Sequence, residues 1–79
     1  MTADVLFFGA TADIVGERSI SIEIERETRA GEIFNDLVAK YPSLGVHKLH
    51  FSINQRFATG DEMIRDKDEL AIFTAVSGG

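Results

Sequence analysis

The run Leu70-Ala71-Ile72-Phe73-Thr74-Ala75-Val76 passes through Ser77 into Gly78-Gly79, where the sequence ends. A terminal diglycine presents a carboxylate with no side chain near it. Lacking Cβ atoms, the last two peptide units reach backbone angles closed to other residues, and they fit a channel too narrow for any side chain. A carboxylate resists nucleophiles because its charge is delocalised and an oxide would have to leave. Joined to AMP by reaction with ATP, the same carbon becomes an acyl-adenylate with a good leaving group. Gly79, with Gly78 behind it, is therefore the position where this chain can do covalent chemistry. A frayed end without a role has the same composition, since termini are often disordered.

Other reactive groups are sparse. His47 and His50 stand three apart, but no third ligand converges on them, so no metal site is expected. Asp61-Glu62 and Asp66-Lys67-Asp68-Glu69 are acidic, yet their spacing fails the EF-hand pattern and reads as a solvated turn. Asp13, Glu17 and Asp36 are scattered, and the Gly9 to Gly16 stretch has no lysine at a phosphate-binding spacing. The chain contains no cysteine, which excludes disulfides, thiolate metal sites and thiol catalysis. Any sulfur it carried covalently would have to sit elsewhere. A net charge of −5 argues against nucleic acid and favours partners with a basic face. There is no apolar stretch long enough to span a membrane, and Met1-Thr2-Ala3-Asp4 lacks a basic leader region. A soluble, cytoplasmic chain is the expectation.

The elements that must present this terminus read as one α+β domain of 79 residues, with 1–75 as its body and 76–79 as a tail. Residues 4–9 form a continuous apolar strand candidate. Residues 10–16 make a short helix or a turn. Residues 18–25 alternate, with Ile20, Ile22 and Ile24 on one side, as a half-buried strand does. A helix is predicted from Thr28, its N-cap, to Tyr41 before Pro42, with Ile33, Phe34, Leu37, Val38 and Tyr41 as its apolar stripe. Residues 49–54 alternate again, and 70–76 form the last strand. The first and last strands do not alternate, so they are expected at the centre of the sheet, side by side and apolar on both faces. One helix covers only one face. The other face should expose an apolar patch, a mark of a protein interface, for which Phe8, Phe57 and Phe73 are the candidates. Parity sets Phe8 and Phe73 opposite Phe7 and Ile72.

This arrangement resembles the β-grasp, or ubiquitin-like, fold: a mixed sheet with central terminal strands, one main helix and a flexible Gly-Gly tail. Within that fold the sequence is similar to the MoaD/ThiS sulfur carriers, and among them to the small subunits of molybdopterin synthases. The matching stretches are Val5-Leu6-Phe7-Phe8, Ala12-Asp13-Ile14-Val15-Gly16, Ile53-Asn54-Gln55, Asp66-Lys67-Asp68-Glu69-Leu70-Ala71 and Phe73-Thr74-Ala75-Val76-Ser77-Gly78-Gly79. Two departures stand out. Thr74-Ala75 replaces the family's Pro-Pro, which frees two φ angles. Lys67 replaces a turn glycine, a strained choice if a positive φ is needed there.

The resemblance implies that Gly79 is adenylated by an enzyme related to the ubiquitin activators, which consumes ATP. Sulfur from a persulfide donor then replaces AMP, leaving a thiocarboxylate that builds the molybdopterin dithiolene on a cyclic pyranopterin monophosphate. It implies a large synthase subunit as partner, in a heterotetramer, with Phe8, Phe57, Phe73, Val76 and Ser77 at the contact. It also implies no bound cofactor or metal and no active site of the chain's own. Residues 76–79 would span at most ~14 Å, enough to enter a partner's pocket. Three other readings share the terminus: a ubiquitin-like modifier forming isopeptide bonds through Gly79, a thiamine-pathway sulfur carrier, and an adaptor with an idle tail.

Overall fold

A computed structural model describes residues 1–74. Seven strands and two α-helices follow one another as β1 (Thr2–Phe7), α1 (Ala10–Val15), β2 (Ser19–Glu23), β3 (Thr28–Arg29), α2 (Ala30–Lys40), β4 (Leu49–Ile53), β5 (Arg56–Ala58), β6 (Met63–Ile64) and β7 (Glu69–Thr74), with a 3-10 helix, Pro42–Val46, after α2. The main sheet has the order β2-β1-β7-β4-β5. β1 and β7 pair in parallel; the other neighbours are antiparallel. The two terminal strands therefore lie side by side as expected, and β7 occupies the middle of the sheet. This is the β-grasp topology. Among the described residues no helix is long and apolar enough to cross a membrane.

The inner face of the sheet is the core. Val5 and Phe7 of β1 and Leu70 and Ile72 of β7 are buried against Ile33 and Leu37 of α2, with Leu44 of the 3-10 helix and Ile64 of β6 closing the ends. Phe34, Val38 and Tyr41 pack on the same cluster, completing the predicted stripe. Leu49, Phe51 and Ile53 do so from β4, Phe51 meeting the edge of Phe34 with ring centroids 4.4 Å apart.

Several sequence expectations need correction. β1 begins at Thr2 and ends at Phe7, and it alternates: Thr2 and Asp4 are exposed while Ala3, Val5 and Phe7 are buried. Only β7 is apolar on both faces, with Leu70, Ala71 and Ile72 buried in succession. Residues 10–16 resolve to a helix ending on Gly16 at φ 82°, a left-handed cap that suits glycine. Thr28 is not the N-cap of α2. It pairs with Ile64 in the two-stranded β3–β6 sheet, and Arg29 takes the cap position without a side-chain bond.

The loop before β6 supplies what a cap would. Ala30 N–H donates to Glu62 O and Gly31 N–H to Gly60 O, each at 2.8 Å, satisfying donors that a helix start leaves open. The approach is tight enough that a Cβ on Gly31 would lie 3.1 Å from Gly60 O. Glu62 folds this loop, accepting Thr59 N–H at 2.9 Å and Gly60 N–H at 2.9 Å. Those bonds, the one from Thr59 first, hold its carboxyl below the usual carboxylate range.

The acidic stretch 66–69 is more than a solvated turn. Asp66 accepts Thr2 N–H at 2.9 Å, and Asp68 accepts Arg65 N–H at 2.8 Å and the Asn54 amide at 3.0 Å. Lys67, at φ 68°, carries the strain anticipated for it, and its N–H donates to Thr2 O at 2.7 Å. These bonds tie the start of β1, the β4–β5 hairpin and the start of β7 into one corner.

Candidate functional site

The outer face of the sheet is graded along its strands. The row Ser21–Asp4–Glu69 crosses one end, and Ser19–Leu6–Ala71–Ser52–Phe57 crosses the middle. At the end where β7 finishes, His50 pairs with Phe73, and Phe8 follows β1, its N–H donating to Ile72 O at 3.1 Å. Charge at the first end gives way to serines with Leu6, Ala71 and Phe57, and then to Phe8, His50 and Phe73 near Thr74.

The parity reading holds for both of its pairs. Phe7 and Ile72 are 2% and 0% exposed, while Phe8 is 52% exposed and Phe73 is partly exposed. Phe57, at the edge on β5, is 84% exposed and lies 6.1 Å from Phe73 between ring centroids. The three phenylalanines thus share one face, with Phe73 in the middle. Phe8, Gly9, Phe73 and Thr74 line a shallow hollow of about 300 Å³ beside the end of β7. Rings of this size held in water mark a surface for a partner.

His50 was not assigned to this face from sequence. It stacks on Phe73 with centroids 5.9 Å apart and planes 26° apart. Its outward parity on β4 was visible, but its neighbour could be named only once the β4–β7 register was fixed. His47 is exposed, and among the described residues no three His, Asp or Glu side chains gather as metal ligands.

Thr11 is the second residue that sequence reading missed. It is 0% exposed, and its hydroxyl lies 2.7 Å from Phe8 O and 3.0 Å from Ile72 O, sharing one proton between them. α1 is thereby pinned to the finishing ends of β1 and β7, the two strands that carry Phe8 and Phe73. Residues 75–79 continue from Thr74 at this end. The candidate positions Val76, Ser77, Gly78 and Gly79 lie outside the described residues.

Such a surface can hold a partner beside the end of β7. The sequence pattern described as the ThiS family matches residues 5–79. The chain is similar to the molybdopterin synthase sulfur carrier subunit of Homo sapiens, 28% identical over 96% of this chain and 92% of that one. Its similarity to the subunit of the same name in Mycobacterium tuberculosis is 32% over 96% and 95%. Among solved structures it resembles SAMP1 from Haloferax volcanii, with a TM-score of 0.84, 25% identity and full coverage of both chains (100% each). A chain in the complex of subunits 1 and 2 of molybdopterin-converting factor from Helicobacter pylori 26695 shares the fold, with a TM-score of 0.69 at 17% identity over 100% of each chain.

Proposed function

The chain belongs to the ThiS family, and from that membership we propose that it is the sulfur-carrier subunit of a molybdopterin synthase, working in the cytoplasm. The observation that carries the reading is the extent of the family match, which runs from β1 to Gly79 and so includes the diglycine. The relatives named for this role support it by aligning over nearly their whole length.

In this reading 1–75 is the body and 76–79 the tail. An activating enzyme joins the Gly79 carboxylate to AMP from ATP and releases pyrophosphate. The terminal sulfur of a persulfide displaces AMP, and a second thiol cleaves the S–S bond to leave the thiocarboxylate. The sulfur then passes to a cyclic pyranopterin monophosphate in the large subunit. Phe8, Phe57 and Phe73 dock that subunit, and Val76 and Ser77 line the tail's entry while Gly78 and Gly79 occupy the narrow end. The Helicobacter pylori complex supports a partner of this kind. Because each product needs two sulfurs, the carrier must leave and return, so a contact of moderate affinity suits the cycle.

The test is mass spectrometry of the chain after incubation with ATP, its activating enzyme and a persulfide donor, together with co-purification of the large subunit. The expected result is an oxygen-to-sulfur mass change on the C-terminal peptide. Gly78→Ala and Gly79→Ala should keep thermal stability and lose loading or delivery; full molybdopterin formation by both would remove the narrow-channel argument. Gly-Gly remnants on lysines of other proteins would make the chain a modifier instead. Rescue of thiazole rather than molybdopterin synthesis would move it to the thiamine pathway.

A further inference from the structure

We propose that the free edge of β2, with the groove between it and α2, receives an extended segment of a partner protein in which β-branched residues alternate with lysine or arginine. β2 is the outermost strand of the main sheet. Phe7 N–H donates to Arg18 O and Ile24 N–H to Met1 O, both at 2.8 Å, and the register between them pairs Val5 with Ile20 and Ala3 with Ile22. The backbone groups of the even-numbered residues therefore face β1. Those of Ser19, Ser21 and Glu23 point away from the sheet, and no turn, loop or side chain among the described residues meets them. Proteins usually blunt such an edge with lysine, proline, a bulge or a very short strand. The opposite edge, β5, is only three residues long, whereas β2 runs Ser-Ile-Ser-Ile-Glu with none of these devices.

Beside the edge lies a groove of about 440 Å³, floored by half-buried Ile20 and Ile22 and walled by Ile33 and Leu37 of α2. An added strand would set every second side chain over this apolar floor, which selects β-branched residues at that spacing. Glu23, Glu25 and Asp36 stand on the rim with Arg26 and Lys40. The intervening side chains stand over the outer face, beside Ser21 and Glu23 and near Asp4, which pairs with Ser21, and these carboxylates select cations there. A second copy is the poorer occupant, because it would bring two chains of net charge −5 edge to edge. Phe73 and Phe57 lie across β1 from the β2 edge.

The experiment is an amide NMR titration of the full chain with a short synthetic peptide of alternating valine and lysine, and with the same peptide N-methylated at alternate bonds. The plain peptide should shift the amides of Ser19, Ser21 and Glu23 and slow their exchange, and the methylated one should not. Ser21→Pro removes an outward donor and no bond to β1, so it should fold and loosen the peptide about tenfold. Glu23→Lys, on the exposed outer side of β2, should loosen it by about threefold, an effect that fades in high salt. Equal binding by the variants, shifts confined to the Phe8, Phe57 and Phe73 face, or no shift at all would overturn the proposal. Concentration-dependent protection of the same amides without peptide would assign the edge to a second copy. None of these outcomes reads the loading of Gly79, so this surface and the carrier reading stand or fall separately.

Discussion

Ile72 and Phe73 are adjacent in sequence and opposite in environment. Ile72 points into the layer between sheet and α2 and is fully buried (0% exposed), whereas Phe73 stands on the outer face between His50 and Phe57. The inner face spends its apolar residues on folding. The outer face holds its own in water, at the end of the sheet where β7 finishes. If the outer rings dock the large subunit as proposed, stability and partner recognition are divided by strand parity within single strands, and the two can be damaged separately.

The largest expected effect tests that division directly. Ile72→Ala should cost about 2–5 kcal/mol in urea denaturation, the range for emptying a buried aliphatic site. Phe73→Ala should cost about 1 kcal/mol or less while weakening binding to the large subunit. A loss for Phe73→Ala as large as that for Ile72→Ala, with binding unchanged, would place Phe73 in the core and erase the distinction.

Phe57→Ala and Phe8→Ala sharpen it further. Phe57 is 84% exposed, so its removal should leave the melting temperature within error. Each truncation should raise the Kd for the large subunit about tenfold by calorimetry, as loss of an aromatic anchor does. Unchanged affinity in both would confine docking to the terminal segment.

Much of this division was legible beforehand. Clean alternation in β2 and β4, the stripe on α2 and the apolar character of β7 place the core, and parity then separates Phe8 and Phe73 from Phe7 and Ile72. What was illegible was short or long-range. β3 and β6 have two residues each, too few to show a period, and their pairing displaced Thr28 from its expected cap. The outer face of β1 carries Asp4, which a continuous apolar reading overlooks. Thr11 earns its position through a partner 61 residues away, and no local pattern signals that. The turn at Asn54-Gln55 was hidden because Gln55, at φ 69°, stands where glycine is commonest.

The strained corner offers a gain rather than a loss. Lys67→Gly should stabilise the chain by up to about 1 kcal/mol, since a left-handed φ penalises a side chain more than glycine's extra unfolded freedom costs. The corner lies at the start of β7, at the opposite end of that strand from Phe73, so large-subunit affinity should not move. A change in affinity would mean that the two ends of the face are coupled.

The smallest effect belongs to Glu62, which secures the covering layer of the inner face by folding the loop that meets the first turn of α2. Its carboxyl titrates below the usual range because Thr59 and Gly60 N–H groups bond its charged form. A depressed folded-state pKa contributes stability that is complete above the unfolded pKa and is lost as pH falls through the folded one. Wild type should therefore lose stability on acidification more steeply than Glu62→Gln, in denaturant melts taken across the acidic carboxylate range. The effect is modest because the group faces solvent. Acid acting here loosens the cover of α2 and leaves the outer rings in place, so the affinity of the folded fraction for the large subunit should be the same in both chains. A Glu62→Gln variant with the wild-type acid slope would show that the helix start is held by the Ala30 and Gly31 backbone bonds alone.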